Sequence, residues 1–131
     1  MEIAFRSALL AWLQADPALS GNLNAVVEEA PSRTALPWLA LTASASTDWS
    51  TKTEAGRDIR VALELNYRGD DPLSEAALIA AIERRVESLP ADQSAAGFRI
   101  ASLMFLKGRA EQRGEARRAL VLEYRVRVMA A

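Results

Sequence analysis

The chain has 131 residues, half of them apolar and a quarter charged, a composition that fits one folded domain of ordinary size. Its net charge of −1 excludes a general nucleic-acid binder held by bulk positive charge. Cysteine and histidine are both absent, which removes disulfides, thiolate metal sites, cysteine nucleophiles and the commonest general base.

The first residues, Met1-Glu2-Ile3-Ala4-Phe5-Arg6, lack a basic start followed by a long apolar run, so no targeting signal is expected. No window is apolar for long enough to span a membrane. Ile3 to about Ala15 reads as an amphipathic helix, with Phe5, Leu9, Trp12 and Leu13 on one face. Asp16-Pro17 ends it, because the residue before a proline is pushed away from helical angles. Leu19 to Ala25 is ambiguous. Val26-Val27 fits a short strand before the turn around Pro31.

Pro37 to about Ser46 reads as a strand that starts at a proline, where a missing donor is tolerated. Its start, Trp38-Leu39-Ala40-Leu41, is apolar throughout and does not declare its faces. Asp58 to Tyr67 alternates cleanly. Ile59, Val61, Leu63, Leu65 and Tyr67 take one face, and Asp58, Arg60, Glu64 and Asn66 the other. The two strands make a long hairpin whose tip is the polar run Thr47-Asp48-Trp49-Ser50-Thr51-Lys52-Thr53 with Gly56-Arg57.

Asp71-Pro72 offers a capping carboxylate and a first-turn proline for a helix running to about Ser88, with Leu78, Ile82 and Val86 as its apolar stripe. Glu83, Arg84, Arg85 and Glu87 fall mostly outside. Gly97 to Lys107 is a third strand. Leu103 to Leu106 is apolar on both sides, which predicts a stretch covered on both faces or lying in an interface. A turn through Gly108 to Gly114 leads to a fourth strand, Arg118 to Met129, with Leu120, Leu122, Tyr124, Val126 and Val128 facing one way. The expected fold is therefore α+β in one domain over residues 1–131. It has a largely antiparallel sheet of about four main strands in two hairpins, and two helices, in the order α-β-β-α-β-β.

Enzyme chemistry finds little support in these residues. Without histidine, a nucleophilic serine would need Lys52 or Lys107 as its base, and the Ser50–Lys52 spacing alone means nothing without a cleft. Glu28-Glu29 and Asp70-Asp71 fit a turn and a cap better than a catalytic pair. No calcium-loop spacing or glycine-rich phosphate loop is present. No catalytic, metal or cofactor residue is assigned.

Two features remain. Trp49 either folds back on its own sheet or serves as an aromatic anchor for a partner. Arg109, Arg113, Arg117, Arg118, Arg125 and Arg127 crowd the last hairpin, either as a solvated polar face or as a surface meeting acidic groups.

The Asp48-Trp49 run with Gly56-Arg57 and the alternating strand after it resembles the small tail-completion, or tail-terminator, proteins of long-tailed phages and phage-like gene transfer agents. The resemblance extends to the amino-terminal helix with Asp16-Pro17-Ala18-Leu19, the segment from Val26 or Val27 to Pro31, the Pro37-Trp38-Leu39 strand start and the carboxy-terminal hairpin, Arg118 to Val128. Thr42-Ala43-Ser44 stands where many members carry glycine, and Glu28 where many carry tyrosine.

The resemblance implies a structural virion protein that is not an enzyme and needs no cofactor. Such a protein forms a ring, a hexamer in this family, that caps the tail tube, ends its growth and joins it to the head-side connector. It is assembled in the bacterial cytoplasm. Its partners are copies of itself, the tail-tube protein, the connector, and double-stranded DNA sliding through the lumen without sequence-specific binding; no membrane is involved. Candidate interface residues are then Asp48, Trp49, Lys52 and Arg57, in a loop expected to order on assembly, and Leu103 and Phe105 of the third strand. Candidate lumen or assembly residues are Arg109, Arg113, Arg125 and Arg127. A head-closure ring of the same particle is the alternative, and a small cytosolic ligand-binding α+β domain is a third reading.

Overall fold

Helix α1, Glu2–Gln14, opens the chain in the computed structural model, which describes residues 1–31 and 33–131. Phe5, Leu9 and Leu13 are fully buried, at the four-residue spacing that puts one side of a helix against a core. The helix stops at Ala15, and Asp16 then caps a second short helix, α2, Pro17–Ser20. Its carboxylate accepts from the Ala18 amide at 3.0 Å, and Pro17 sits where a missing amide costs nothing.

Strand β1, Ala25–Val27, lies parallel to β2, Trp38–Asp48. β2 turns into β3, Gly56–Arg68, as the expected hairpin, running with Thr47 opposite Asp58 and Leu39 opposite Leu65. Helix α3 covers Ala76–Glu87. A two-residue strand β4, Asp92–Gln93, precedes β5, Phe98–Gln112, and β6, Arg117–Ala130. The sheet order is β1-β2-β3-β6-β5-β4, all antiparallel except β1 with β2. Two expectations need correcting here. The largely antiparallel sheet of about four main strands is extended by two short edge strands to six, one of them parallel, so the sheet is mixed, and α2 makes a third helix. β1 is the short strand read at Val26-Val27, whereas β4 is too short to announce itself by alternation.

The three helices lie on one face of the sheet. They bury Ile59, Val61, Leu63 and Leu65 of β3 with Leu122, Tyr124, Val126 and Val128 of β6. Phe5 of α1 meets Phe98 edge to face at 6.4 Å, an arrangement favoured by the ring quadrupoles. α1 and α3 are tied by a reciprocal contact: Trp12 Nε1 donates to the Arg85 carbonyl at 2.9 Å, and Arg85 Nε donates to the Trp12 carbonyl at 2.8 Å. The guanidinium lies 3.4 Å from the indole centroid. Arg85 thus sits against Trp12 rather than on the outer side as its helical position predicts.

The Asp71-Pro72 signal starts a turn, not the helix. The Asp71 carboxylate accepts from the Leu73 amide at 2.7 Å, and α3 begins four residues after Pro72, behind Glu75 at φ 59°. The last turn also moves. Gly108 lies inside β5, and the chain reverses at Gly114-Glu115-Ala116, all three at positive φ. No helix among the described residues is long and apolar enough to cross a membrane.

Candidate functional site

The tip between β2 and β3 is built by short polar side chains closing on the backbone. Trp49 N–H donates to the Gly56 carbonyl at 3.0 Å. Ser50 Oγ donates to Asp48 at 2.6 Å and accepts from the Gly56 amide at 3.0 Å. Thr51 N–H donates to the Glu54 carbonyl at 2.8 Å while its Oγ1 accepts from the Glu54 amide at 3.0 Å. Glu54 pairs with Arg99 of β5 at 3.0 Å, fastening the tip to the far side of the sheet. The loop thus closes on its own side chains and backbone. Gly56 has a steric reason: a Cβ there would stand 2.5 Å from the Trp49 carbonyl oxygen and 2.7 Å from Met129 Sδ.

Trp49 is half-buried, with Arg127 of β6 5.2 Å from the ring centroid. In the single chain the indole folds back on its own sheet. Asp48, Lys52 and Arg57 around it are exposed. On the helix side of the same hairpin, Ser44 Oγ donates to Glu2 at 2.8 Å. Hydrogen bonds from Ser46 and Ser44 hold the Glu2 carboxyl below the usual range.

The sheet face away from the helices carries the charge. Asp58 of β3 is its hub. It accepts from Arg125 Nε at 2.9 Å and from Arg127 Nε at 3.3 Å, both one strand away on β6. The Arg125 hydrogen bond first, and then Arg127, hold the Asp58 carboxyl below its ordinary range against the opposing effect of burial. Glu111 pairs with Arg109 at 3.0 Å and with Arg113 at 2.8 Å, and Arg113 also reaches Glu64 at 3.1 Å. Lys107 pairs with Glu123 at 3.2 Å. Each of these carboxylates is matched across or along strands, so the crowded arginines present a largely neutralised surface. Arg109 lies in β5 and Arg113 at its end, not in the long turn expected for them.

Leu103 to Leu106 is not covered on both faces. Leu103 and Phe105 point to the helix side, where Phe105 meets Tyr124 edge to face at 5.6 Å yet stays 43% exposed. Met104 and Leu106 stand 56% and 37% exposed. Leu106 lines a trough of about 400 Å³ on the charged face, with Ala43, Ala45, Arg60, Ala62, Lys107 and Glu123. Tyr124 is fully buried with no partner for its hydroxyl among the described residues, and burial pushes its ionisation well up. Sequence reasoning brought Arg125 and Arg127 to one face but missed Asp58 as the group that holds them. The signal was the alternation of β3, which needed only the β3–β6 pairing to become legible.

Residues 7–129 match the family model described as Tail completion protein gp17. The chain belongs to this family of tail completion proteins. The family is one of structural virion proteins, and this member is a virion-associated component of phage-like particles. Among solved structures the fold is similar to a chain of a structure described as "Virion of native gene transfer agent (GTA) particle". The identity is 23% and the TM-score 0.72, over 95% of this chain and 94% of that one. A comparison with curated protein sequences gives no match. The tail completion protein thus combines a helix-covered sheet face, a charge-paired open face and a self-closed hairpin tip.

Proposed function

We propose that this tail completion protein closes into a ring, a hexamer, that caps the tail tube, ends its growth and joins it to the head-side connector. The observation that carries the reading is the helix-free sheet face. The helices pack on the other face, and the middle of this one is open and polar, while Trp38, Ala40, Asn66, Ala119 and Val121 toward one end and Met129 at the other are buried. This face carries the ion pairs of Asp58, Glu64, Glu111 and Glu123 with Arg109, Arg113, Arg125, Arg127 and Lys107. A lumen of this kind suits passing double-stranded DNA. It is polar enough to stay wet, and its cations are occupied, so few are available to displace counterions from phosphates.

In this reading the Trp49 tip, with Asp48, Lys52 and Arg57, meets the tail tube or the adjacent ring. Leu103 and Phe105 are covered by a neighbouring subunit. Family membership supports the tail location, and the fold's likeness to a gene transfer agent chain supports such a particle as the setting.

Mass photometry and negative-stain imaging of the protein alone, and mixed with tail-tube subunit, test this. Rings, free or on tube ends, are the expected result. A protein that binds a connector but never a tube end would be a head-closure ring. One that associates with neither would overturn the proposal.

A further inference from the structure

Two strands of the sheet are longer than the neighbours that cover them. β1 pairs with β2 only at Trp38–Ala40, and β4 pairs with β5 only at Phe98 and Arg99. Among the described residues, Ala43–Asp48 of β2 and Ser102–Gln112 of β5 therefore have a strand on one side and none on the other. Their outward amides and carbonyls are a template for another strand. The two open runs lie at opposite ends of the sheet. They are also level with each other, as the register across β3 and β6 shows. Thr47, Asp58, Arg127 and Ser102 form one row, and Ala45, Arg60, Arg125 and Met104 the next.

We infer that the open run of β5 pairs with the open run of β2 of a second copy, so that the sheets join edge to edge around the ring. This rests on the ring reading above and specifies its subunit contact. Strand direction permits it. The four long strands alternate, so a copy rotated about an axis along the strands brings its β2 antiparallel to β5. The contact is head to tail between unlike edges, and closing the circle leaves no edge open.

Side chains fit as well. The row that holds exposed Met104 on one edge holds exposed Ala45 on the other, and Lys107 stands level with Ala43, so long side chains meet small ones. The run Thr42–Asp48 contains one acid and no base, so it brings no like charge to Lys107 or Arg109. The opposing role for this edge is visible too. Bulges between Ile100 and Ser102 and between Phe105 and Lys107, with an exposed lysine, are devices that blunt an edge against pairing.

Cysteine pairs decide between them, in a chain that has none of its own. One of Ala43→Cys, Ala45→Cys or Thr47→Cys is combined with one of Ser102→Cys, Met104→Cys or Lys107→Cys. Within one subunit these strands stand three spacings, roughly 14 Å, apart, beyond disulfide reach. Oxidised rings, formed alone or on tail tubes, should give a covalent ladder ending at the ring number for the aligned pairs and none for the misaligned ones. Met104→Glu or Ala45→Glu, both at exposed positions, should abolish rings while leaving the monomer's melting temperature unchanged. Rings that form without a ladder from any pair, and that tolerate both glutamates, overturn the edge contact and leave the ring reading standing. If no multimer forms alone or on tubes, the ring reading fails and this inference with it.

Discussion

Trp49→Ala measures how firmly the tip is seated on the sheet. A half-buried indole removes roughly 120 Å² of apolar surface from water, about 3 kcal/mol at the usual coefficient. A compact unfolded chain already hides part of that surface, which brings the figure to about 2 kcal/mol. The Arg127 guanidinium at 5.2 Å adds about 0.5 kcal/mol for a contact that remains partly in water. The expected loss is therefore about 2.5 kcal/mol, or a melting point lower by roughly 10 °C for a domain of this length. Trp49→Phe should recover more than half of it. Urea unfolding followed by far-ultraviolet circular dichroism gives the number without relying on the other tryptophans, Trp12 and Trp38. A loss below about 0.5 kcal/mol, the scale of an ordinary surface substitution, would mean that the indole is not packed on its own sheet, and the account of the tip would be wrong.

Acidification should act through Asp58. Its carboxyl is held below the ordinary range by Arg125 and Arg127, so its stabilisation is full above about pH 4 and is lost as the pH falls through the lower folded value. Melting temperature against pH from 7 to 2 should drop in that acid limb, and less steeply in Asp58→Asn; parallel curves would exclude Asp58 as a contributor. Gly56→Ala would press a methyl onto the Trp49 carbonyl at 2.5 Å, with an expected cost of about 2 kcal/mol and faster amide exchange in residues 49–56. Ordinary exchange in that loop would contradict the steric reason given for Gly56. Replacing Glu115-Ala116, at φ 50° and 59°, by Asn-Gly should relieve left-handed backbone and stabilise the β5–β6 hairpin by about 1 kcal/mol in chemical denaturation. A loss of stability would show that the turn needs its present side chains.

β3 and β6 were legible because each has one face under helices and one largely open, so burial follows the two-residue period through much of each strand, breaking where Asn66, Ala119, Val121 and Met129 are buried as well. The apolar positions assigned to β3 are buried, and so are those of β6 apart from part-buried Leu120. The β2–β3 hairpin followed from the same rule. β5 was not legible for two physical reasons. Its bulges shift the phase of alternation, and Leu103 to Leu106 does place apolar side chains on both faces, but Met104, Phe105 and Leu106 stay exposed in the single chain rather than covered. Glycine was also taken as the mark of the turn, whereas Gly108 continues the strand and the positive-φ run is Gly114-Glu115-Ala116. The start of α3 misled because a carboxylate before proline serves a turn as readily as a helix, and Asp71 serves a turn. In the candidate site, the tip is legible as a polar run carrying one indole between two strands, and its resemblance to a family adds to that. The tip's closure on Gly56 and Arg127 depended on long-range pairing that no local pattern encodes.

Asp58 links the two surfaces that the sequence presented as separate. Arg127 is shared: its guanidinium faces the Trp49 ring, and its Nε donates to Asp58, which also holds Arg125. The seat of the tip is thus made by a cation that is itself fixed from the open face. Cross-strand neighbours of opposite charge stabilise a sheet modestly, but here the arrangement does more than join strands. Without the carboxylate, two guanidiniums would stand on adjacent outward positions of β6 with nothing to neutralise them, and the indole would rest on an arginine free to change rotamer. The pairing of Arg125 and Arg127 on the open face and the seat of the tip therefore depend on one side chain. In the proposed ring, where the tip would meet a neighbour and the open face would line the lumen, the β3–β6 register would fix the geometry between the two without a second domain.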